Sequence, residues 1–315
     1  MDFLTSLVNS MPGAVAQGLI WGIMAIGVYI TYRILDVADL TVDGSLGTGG
    51  AVCVVLVLNG MPVGVALVAA TLAGMLAGLV TGLFHTACGI PAILAGILTQ
   101  LALYSVNLRI MGFGTGGGKA NLPISVDKYG LLVSARYVRN VALNNPILIL
   151  TIFCAVLIAV LYWFFGTELG CSLRATGANQ NMARAQGINT NVTKVLGLMI
   201  SNGLVALAGG LLAQYQGFSD INMGRGAIVI GLAAVIIGEV IFSRIFRNFA
   251  LKLLSAVIGA IIYYIVMVFV LRLGLSTDDL KLLTALVVAL FLTIPYWKGK
   301  YFTKTSVKKG EKNHA

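Results

Sequence analysis

The sequence predicts an all-α polytopic membrane protein with about nine transmembrane helices, arranged as an inverted 4+1+4 repeat with two broken helices. Only 10% of the 315 residues are charged and 58% are hydrophobic, whereas soluble domains carry about 25% charged residues. The apolar residues are gathered in runs long enough to span a membrane. Two of these runs follow similar acidic motifs, which begin at Asp39 and Asp220.

The apolar runs give the number and position of the spans. A transmembrane helix needs about 20 apolar residues, and nine runs approach this length. They are 14–35, 44–58, 62–83, 90–111, 146–166, 192–215, 226–243, 249–271 and 280–296. The second run is short, as expected for a helix that begins below the membrane surface. Apolar residues at helical spacing before the first run predict an external interfacial segment at 1–13.

An internal repeat follows from aligning Asp39 with Asp220, which places the first four spans over the last four. The fifth span is then a connector, so the second copy crosses the membrane in the opposite direction, as in many transporters. The predicted organisation is a first transmembrane repeat at 14–111, an external loop at 112–145, a connector helix at 146–166, a cytoplasmic loop at 167–190, a second transmembrane repeat at 191–296 and a basic tail at 297–315.

The basic residues predict the orientation of the chain. Six of the 21 Lys and Arg residues lie in the C-terminal tail, at Lys298, Lys300, Lys304, Lys308, Lys309 and Lys312. Positive residues near the ends of spans favour the cytoplasmic side. We therefore expect a multi-pass protein of the cell membrane with a cytoplasmic C-terminus and, across nine spans, an N-terminus outside.

Several classes of function are excluded by what the sequence lacks. The net charge of +10 does not indicate nucleic-acid binding, because the basic residues form no patch with interleaved aromatic residues. The four cysteines lack the spacing of metal ligands, and we expect no metal and no disulfide. The glycine-rich stretch at 112–120 is not a phosphate loop, because Ala120 stands where a Ser or Thr would bind Mg²⁺. No catalytic residue, enzyme activity or bound cofactor is expected.

Three carboxylates lie between the first two apolar runs, and charged groups at membrane depth are costly enough to suggest a function. Thr41 or Asp43 is suited to cap the following helix, whose free N–H groups also favour an anion. One interpretation is a transport path; the path residues it predicts are Asp39, Thr41, Asp43 and Ser45. The other is that the acids only cap helices and pair with Arg33.

A second acidic motif lies where the sixth span leaves the membrane on the outer side. It contains Asp220, Asn222 and Arg225. One interpretation places Asp220 and Asn222 at the mouth of the path. The other is a solvated loop with an ion pair between Asp220 and Arg225.

The fourth span carries three polar residues on one helix face. Gln100, Tyr104 and Asn107 stand at positions i, i+4 and i+7. Polar side chains inside a span either hold helices together or line a wet path. Both interpretations stay open for these three residues. Glu239, near the end of the seventh span, is expected to extend its carboxylate to the membrane surface or to pair with Arg244.

The loop after the fifth span carries the signals of a short capped helix. Asn179 is suited to cap its start and Gly187 to end it. A short, capped, polar helix in a cytoplasmic loop is typical of a docking element rather than a plain connection.

This loop, which reads LGCSLRATGANQNMARAQGIN from Leu169 to Asn189, resembles the coupling loop of ABC importer permeases of the branched-chain amino acid and ribose class. The stretch from Ile30 to Ser45 is similar to the subgroup labelled tryptophan/tyrosine permeases. The resemblance covers most of 14–296. The ATPase-docking residues that it implies are Arg174, Thr176, Asn179, Met182, Arg184 and Gly187.

The resemblance implies the permease subunit of an ATP-driven importer for a small solute, with an aromatic amino acid favoured. It implies a homodimer, two cytoplasmic subunits that bind ATP and Mg²⁺, an extracytoplasmic substrate-binding protein, and transport by alternating access. The alternative is an ATP-independent secondary transporter that uses Asp39 or Asp43 as its ion-coupling site. This alternative explains the acids and the repeat, but it leaves the capped loop without a purpose.

Overall fold

The computed structural model describes residues 3–113, 117–126, 128–138, 145–242, 246 and 248–272, together with 282, 285, 286, 288–290 and 293. The helices are α1 (Phe3–Tyr29), α2 (Val42–Leu58), α3 (Val63–Thr86), α4 (Ala92–Met111), α5 (Pro146–Gly166), α6 (Glu168–Ala178), α7 (Gln180–Ala185), α8 (Thr190–Gln216), α9 (Ala227–Phe242) and α10 (Phe249–Arg272). A π-helical turn (Ile30–Ile34) extends α1, and a 3₁₀ turn covers Ala135–Tyr137. The short strands β1 (Asn121–Pro123) and β2 (Phe218–Asp220) pair in antiparallel register.

Eight of the helices correspond to predicted spans. Within the described residues, six are long and apolar enough to cross a membrane, namely α1, α3, α4, α5, α8 and α10. The helices α2 and α9 are apolar but shorter. Each follows a non-helical segment, here called a break: the first break is 35–41 and the second is 217–226. The predicted ninth span at 280–296 and the basic tail at 297–315 lie largely or wholly outside the described residues, so the count of nine stays a prediction.

The two halves of the chain share one order of elements. A long helix is followed by a break, a short helix and a second long helix. The first long helices, α1 and α8, both have 27 residues, α2 and α9 have 17 and 16, and α3 and α10 both have 24. The packing crosses between the halves, since α1 packs mainly against α10 and α8 mainly against α3.

The centre of the bundle is formed by α1 and α8. In α1, 83% of the apolar stretch is buried, and in α8 78%, against only 17% in α5. The helices α3, α4 and α5 instead leave rows of large apolar side chains exposed, as expected at a lipid-facing surface. The outer helices therefore enclose α1 and α8.

The first break follows the π-helical turn. The chain leaves the helix at Leu35, and Asp36 has a φ of 55°, a conformation that non-glycine residues seldom adopt. The amides of Leu35 and Val37 donate to the carbonyls of Ile30 and Thr31, each at 3.0 Å. These hydrogen bonds satisfy backbone carbonyls that would otherwise lack a partner where the helix ends.

The structure adds detail at two places. The helix α1 begins at Phe3, so residues 3–13 are continuous in helix with the first span, and Pro12 lies inside this helix. The described fold is mostly helical, with one short ladder in which β1 of the 112–145 loop pairs with β2 and Asn121 stands opposite Asp220.

Close packing between α2 and α8 depends on glycine, and this dependence gives a first prediction. Gly49 in α2 lies against the backbone of Ala206, and a Cβ added at Gly49 would overlap its carbonyl oxygen. We expect Gly49→Ala to lower the free energy of unfolding by about 1–3 kcal/mol, because overpacking forces the helices apart. The measurement is the melting temperature of the purified protein in detergent.

Gly64→Ala is the matched control for this substitution. A Cβ at Gly64 meets no atom within 4 Å, and replacing a helical glycine by alanine is favourable in itself. The melting temperature of this variant should stay the same or rise. Equal melting temperatures for both variants would contradict the assigned packing of α2 against α8.

Candidate functional site

The carboxylate of Asp43 connects the start of α2, after the first break, with the start of α9, after the second break. Its Oδ2 accepts a hydrogen bond from the amide of Gly226 and its Oδ1 one from the amide of Ile228, each at 2.9 Å. These amides belong to the start of α9, where a helix has free N–H groups and a partial positive charge. An acid in the first turn of α2 therefore caps α9, and the two predicted broken helices meet at this point.

Asp39 makes a second connection, between the first break and α8. Its Oδ1 accepts from the amide of Thr41 at 2.9 Å, and its Oδ2 accepts from Nδ2 of Asn202 at 2.6 Å. The hydroxyl of Ser45 donates to Oδ1 of the same Asn202 at 2.6 Å. Asp39 and Ser45 are both buried, and their polar atoms are taken up by this network.

A chain of threonine hydroxyls fixes the first break to α3 and α4. Oγ1 of Thr41 lies 2.7 Å from Oγ1 of Thr81, which donates to Oγ1 of Thr99 at 2.9 Å. All three side chains are buried. Asp39, Thr41 and Ser45 are thus buried, and each is paired with a neighbouring helix or with the break itself.

The predicted polar face of α4 lines a cavity with Asp43. The cavity, here called the junction cavity, has a volume of about 290 Å³. Its lining residues are Asp43, Gly44, Gln100, Leu101, Tyr104, Asn107, Ile221 and Arg225. Asn107 is only 2% exposed, and its Oδ1 has no hydrogen-bond partner. The cavity thus combines a cation, a carboxylate and an aromatic ring.

One residue of the second acidic motif lines this cavity, and the other two lie in a neighbouring turn. Asp220 accepts from the amide of Asn222 at 2.7 Å and from Nδ2 of Asn121 at 3.3 Å. These bonds hold the turn that follows β2. Asp220 and Asn222 do not line the junction cavity, whereas Arg225 does, and no ion pair joins Asp220 to Arg225 in the described structure.

The loop after α5 has the predicted helix boundaries. The Oδ1 atom of Asn179 accepts from the amide of Met182 at 3.0 Å and so caps α7. Gly187 follows the end of α7 with a φ of 83°. This loop therefore contains two short helices, α6 and α7, with α7 held by the cap and the glycine that the sequence indicated.

The six predicted docking residues differ in accessibility. Met182 is 52% exposed, and Asn179, Arg184 and Gly187 are also exposed. Arg174 is exposed too, but its guanidinium lies 5.4 Å from the ring centre of Phe249 in α10. Thr176 is only 3% exposed and its hydroxyl pairs with that of Thr193 at 2.9 Å, so it stabilises the loop internally and is not available to a partner in this conformation.

Several residues of these networks were not identified from the sequence. Asn202 holds both Asp39 and Ser45, and its amide inside the apolar run of α8 was the available signal. Arg33 does not pair with the acids of the first break but with Glu239, at 2.9 Å. The expected partner of Glu239, Arg244, lies outside the described residues.

Comparison with known proteins identifies relatives along most of the chain. Residues 11–294 match the family described as branched-chain amino acid transport system / permease component. The chain is 42% identical over 284 residues to a tyrosine transport system permease protein of Clostridioides difficile (strain R20291), which covers 90% of each chain. It is 37% identical over 289 residues to an uncharacterized protein, RP368, of Rickettsia prowazekii (strain Madrid E), covering 90% of this chain and 97% of the relative.

A more distant relative is the autoinducer 2 import system permease protein LsrC of Yersinia pseudotuberculosis (serotype O:3, strain YPIII). It is 31% identical over 204 residues, which cover 63% of this chain and 54% of LsrC. The match over 11–294 confirms the resemblance seen in the loop at 169–189, and the apolar helices agree with a multi-pass membrane protein. In such transport systems the permease is not itself catalytic. This chain belongs to the family of branched-chain amino acid transport system permease components.

Proposed function

We propose that this chain is the transmembrane permease subunit of an ATP-driven importer for a small solute, an amino acid, with an aromatic one favoured. The observation that carries the proposal is the junction cavity, which lies where the two broken helices meet. An external binding protein delivers the solute, and alternating access moves it across the cell membrane. The N-terminus lies outside and the C-terminus in the cytoplasm.

The junction cavity has the chemistry to hold an amino acid. Its volume of about 290 Å³ lies near the lower end of small-molecule sites, which hold about 300–1,000 Å³. Arg225 is exposed in the cavity lining and is suited to the α-carboxylate. The ring of Tyr104 and the side chain of Leu101 offer apolar contact to an aromatic side chain. The relative that is named a tyrosine transport system permease supports the same class of solute.

An inverted repeat accounts for alternating access. The matched lengths of the helices in the two halves and their crossed packing support such a repeat. In transporters of this kind, the binding site lies at the interface of the repeats, and one repeat rocks against the other. The junction cavity lies at this interface, because α2 and α4 line it from one half and the turn before α9 from the other.

The exposed part of the α6–α7 loop supplies the docking surface for the ATP-binding subunit. Met182 and Arg184 project from α7, which its caps hold in one conformation. A homodimer of this chain would bind two such subunits, and ATP and Mg²⁺ would be held in those partners. Movement of the ATP-binding subunits would then reach the bundle through α6.

The alternative, a secondary transporter coupled through Asp39 or Asp43, is less well supported. A coupling site has to release its ion and bind it again, so its carboxylate oxygens need to be accessible. Asp39 is buried, and each oxygen of Asp39 and Asp43 already accepts a hydrogen bond from a backbone amide or from Asn202. An ion at either carboxylate would compete with these bonds, which favours a structural role for both acids.

Removal of the cation from the junction cavity tests the proposed solute site. We expect Arg225→Gln to raise the KM for tyrosine uptake about tenfold or more, since a hydrogen bond to a charged group contributes about 1.5–3 kcal/mol. Uptake is measured in proteoliposomes that contain the ATP-binding subunit and the binding protein. Arg109→Gln is the control, because it removes an exposed arginine from the end of α4 that does not line the cavity. Equal effects of both variants would contradict the site.

A charge on the docking surface tests the proposed partner. We expect Met182→Glu to weaken binding of the ATP-binding subunit about tenfold or more, because truncation or charging of an interface centre costs about 2 kcal/mol or more. Asn191→Glu adds the same charge at the start of α8, where a helix N-terminus favours an acid. This control should leave binding unchanged. Unaltered binding by Met182→Glu would remove α7 from the interface.

A further inference from the structure

A large cavity lies beside the α6–α7 loop at 167–190, here called the docking loop after its proposed role, and it takes no part in the proposed solute path. Its volume is about 790 Å³, and its walls come from the end of α1 and its π-helical turn, from α6, from the end of α9 and from the start of α10. We call it the docking-side cavity. All of these segments lie at the end of the bundle where α5 leads into the docking loop.

The docking-side cavity is positively charged. Among the described residues of its lining, Arg33, Arg174 and Lys252 are cationic and Glu239 is the one carboxylate. The Nε atom of Arg33 lies 2.9 Å from Oε1 of Glu239, so these two charges compensate each other. Arg174 of α6 and Lys252 of α10 remain as positive charges contributed by two different helices. A single anion between them would join the docking loop to the membrane bundle.

Aromatic side chains form the apolar part of the same cavity. The guanidinium of Arg174 lies 5.4 Å from the ring centre of Phe249, a distance at which the ring face attracts a cation. Phe242 and Phe246 stack on one another, with their ring centres 4.8 Å apart. The cavity therefore suits a ligand with an anionic head and an adjoining apolar part.

A neighbouring cavity shares Arg174 and Phe249 with the docking-side cavity and has a volume of about 590 Å³. Its lining includes Tyr162 and Trp163 at the end of α5, which are 52% and 72% exposed. Tyr and Trp at the ends of spans lie at the level of the lipid headgroups. Arg174 thus lies beside residues typical of headgroup depth, which favours a lipid over a dissolved anion.

We propose that the docking-side cavity binds the phosphate of an anionic phospholipid headgroup, with Arg174 and Lys252 as its cationic contacts. Basic pockets between transmembrane helices are suited to such headgroups. The bound lipid holds α6 against α10 and stabilises the docking loop on the bundle. This site needs no transported solute and is independent of the proposed substrate.

The test is a thermal-shift titration of the full-length protein in an uncharged detergent. The probes are dihexanoyl phosphatidylglycerol, dihexanoyl phosphatidylcholine with the same chains, and inorganic phosphate. Phosphatidylglycerol should raise the melting temperature until the effect saturates. Phosphatidylcholine and inorganic phosphate at the same concentrations should leave the melting temperature unchanged. Lys252→Gln should raise the half-saturating concentration about fivefold, which is the effect expected for one cation near a membrane surface.

Two further variants distinguish binding at a defined site from a general attraction to positive charge. Lys252→Arg keeps the cation and should bind as the wild type does. Lys194→Gln removes a lysine at the start of α8, on the same side but outside the cavity, and should also bind normally. If Lys252→Gln does not fold, Arg174→Gln gives the same measurement from the other helix.

Three results would overturn the proposal. Equal stabilisation by inorganic phosphate would identify a site for a free anion instead of a lipid. An equal rise in the half-saturating concentration for Lys194→Gln and Lys252→Gln would show that the lipid is attracted by the overall positive charge and not bound at a defined site. Stabilisation only when the ATP-binding subunit is added would identify a protein surface as the occupant of the cavity.

Discussion

The hydrogen bonds from the start of α9 to the carboxylate of Asp43 are the interaction on which the rest of the site depends. The first amides of a helix have no partner within the helix, and a side chain that caps them contributes about 0.5–2 kcal/mol to stability. Asp43 supplies two acceptors from the other half of the chain and carries the negative charge that a helix N-terminus favours. Because this cap holds α2 against α9, the turn with Ile221 and Arg225 lies opposite the polar face of α4. The junction cavity is the space that remains between them.

A continuous set of contacts leads from the docking loop to this cap. Gly177 of α6 packs directly against the carbonyl of Ile34, so that a side chain at this position would have no space. Ile34 ends the π-helical turn, and the first break begins immediately after it. Asp39 and Ser45, on either side of Thr41, are both held by Asn202 of α8. In the proposed mechanism, a displacement of α6 by the ATP-binding subunit therefore reaches both repeats at the break.

The sequence predicts what depends on local periodicity and composition. Apolar runs locate eight of the described helices. The helical period places Gln100, Tyr104 and Asn107 on one face of α4, which lines the junction cavity. Asn179 and Gly187 mark the limits of α7. It does not predict contacts between distant residues. The roles of the acids stayed open because Asp43 caps amides 183 and 185 residues further along, and Asp39 binds an amide 163 residues away. The burial of Thr176 likewise depends on Thr193 of the next helix.

The most direct test of the account compares Asp43→Asn with Asp43→Ala, measuring both the melting temperature and the uptake per folded protein. Asparagine keeps one acceptor and caps helices well, whereas alanine leaves the amides of α9 free at a cost of about 0.5–2 kcal/mol or more. The account predicts that the asparagine variant keeps most of its stability and transport, and that the alanine variant melts at a lower temperature. An asparagine variant with wild-type stability and no uptake would contradict it, because Asp43 would then act through its charge rather than as a cap.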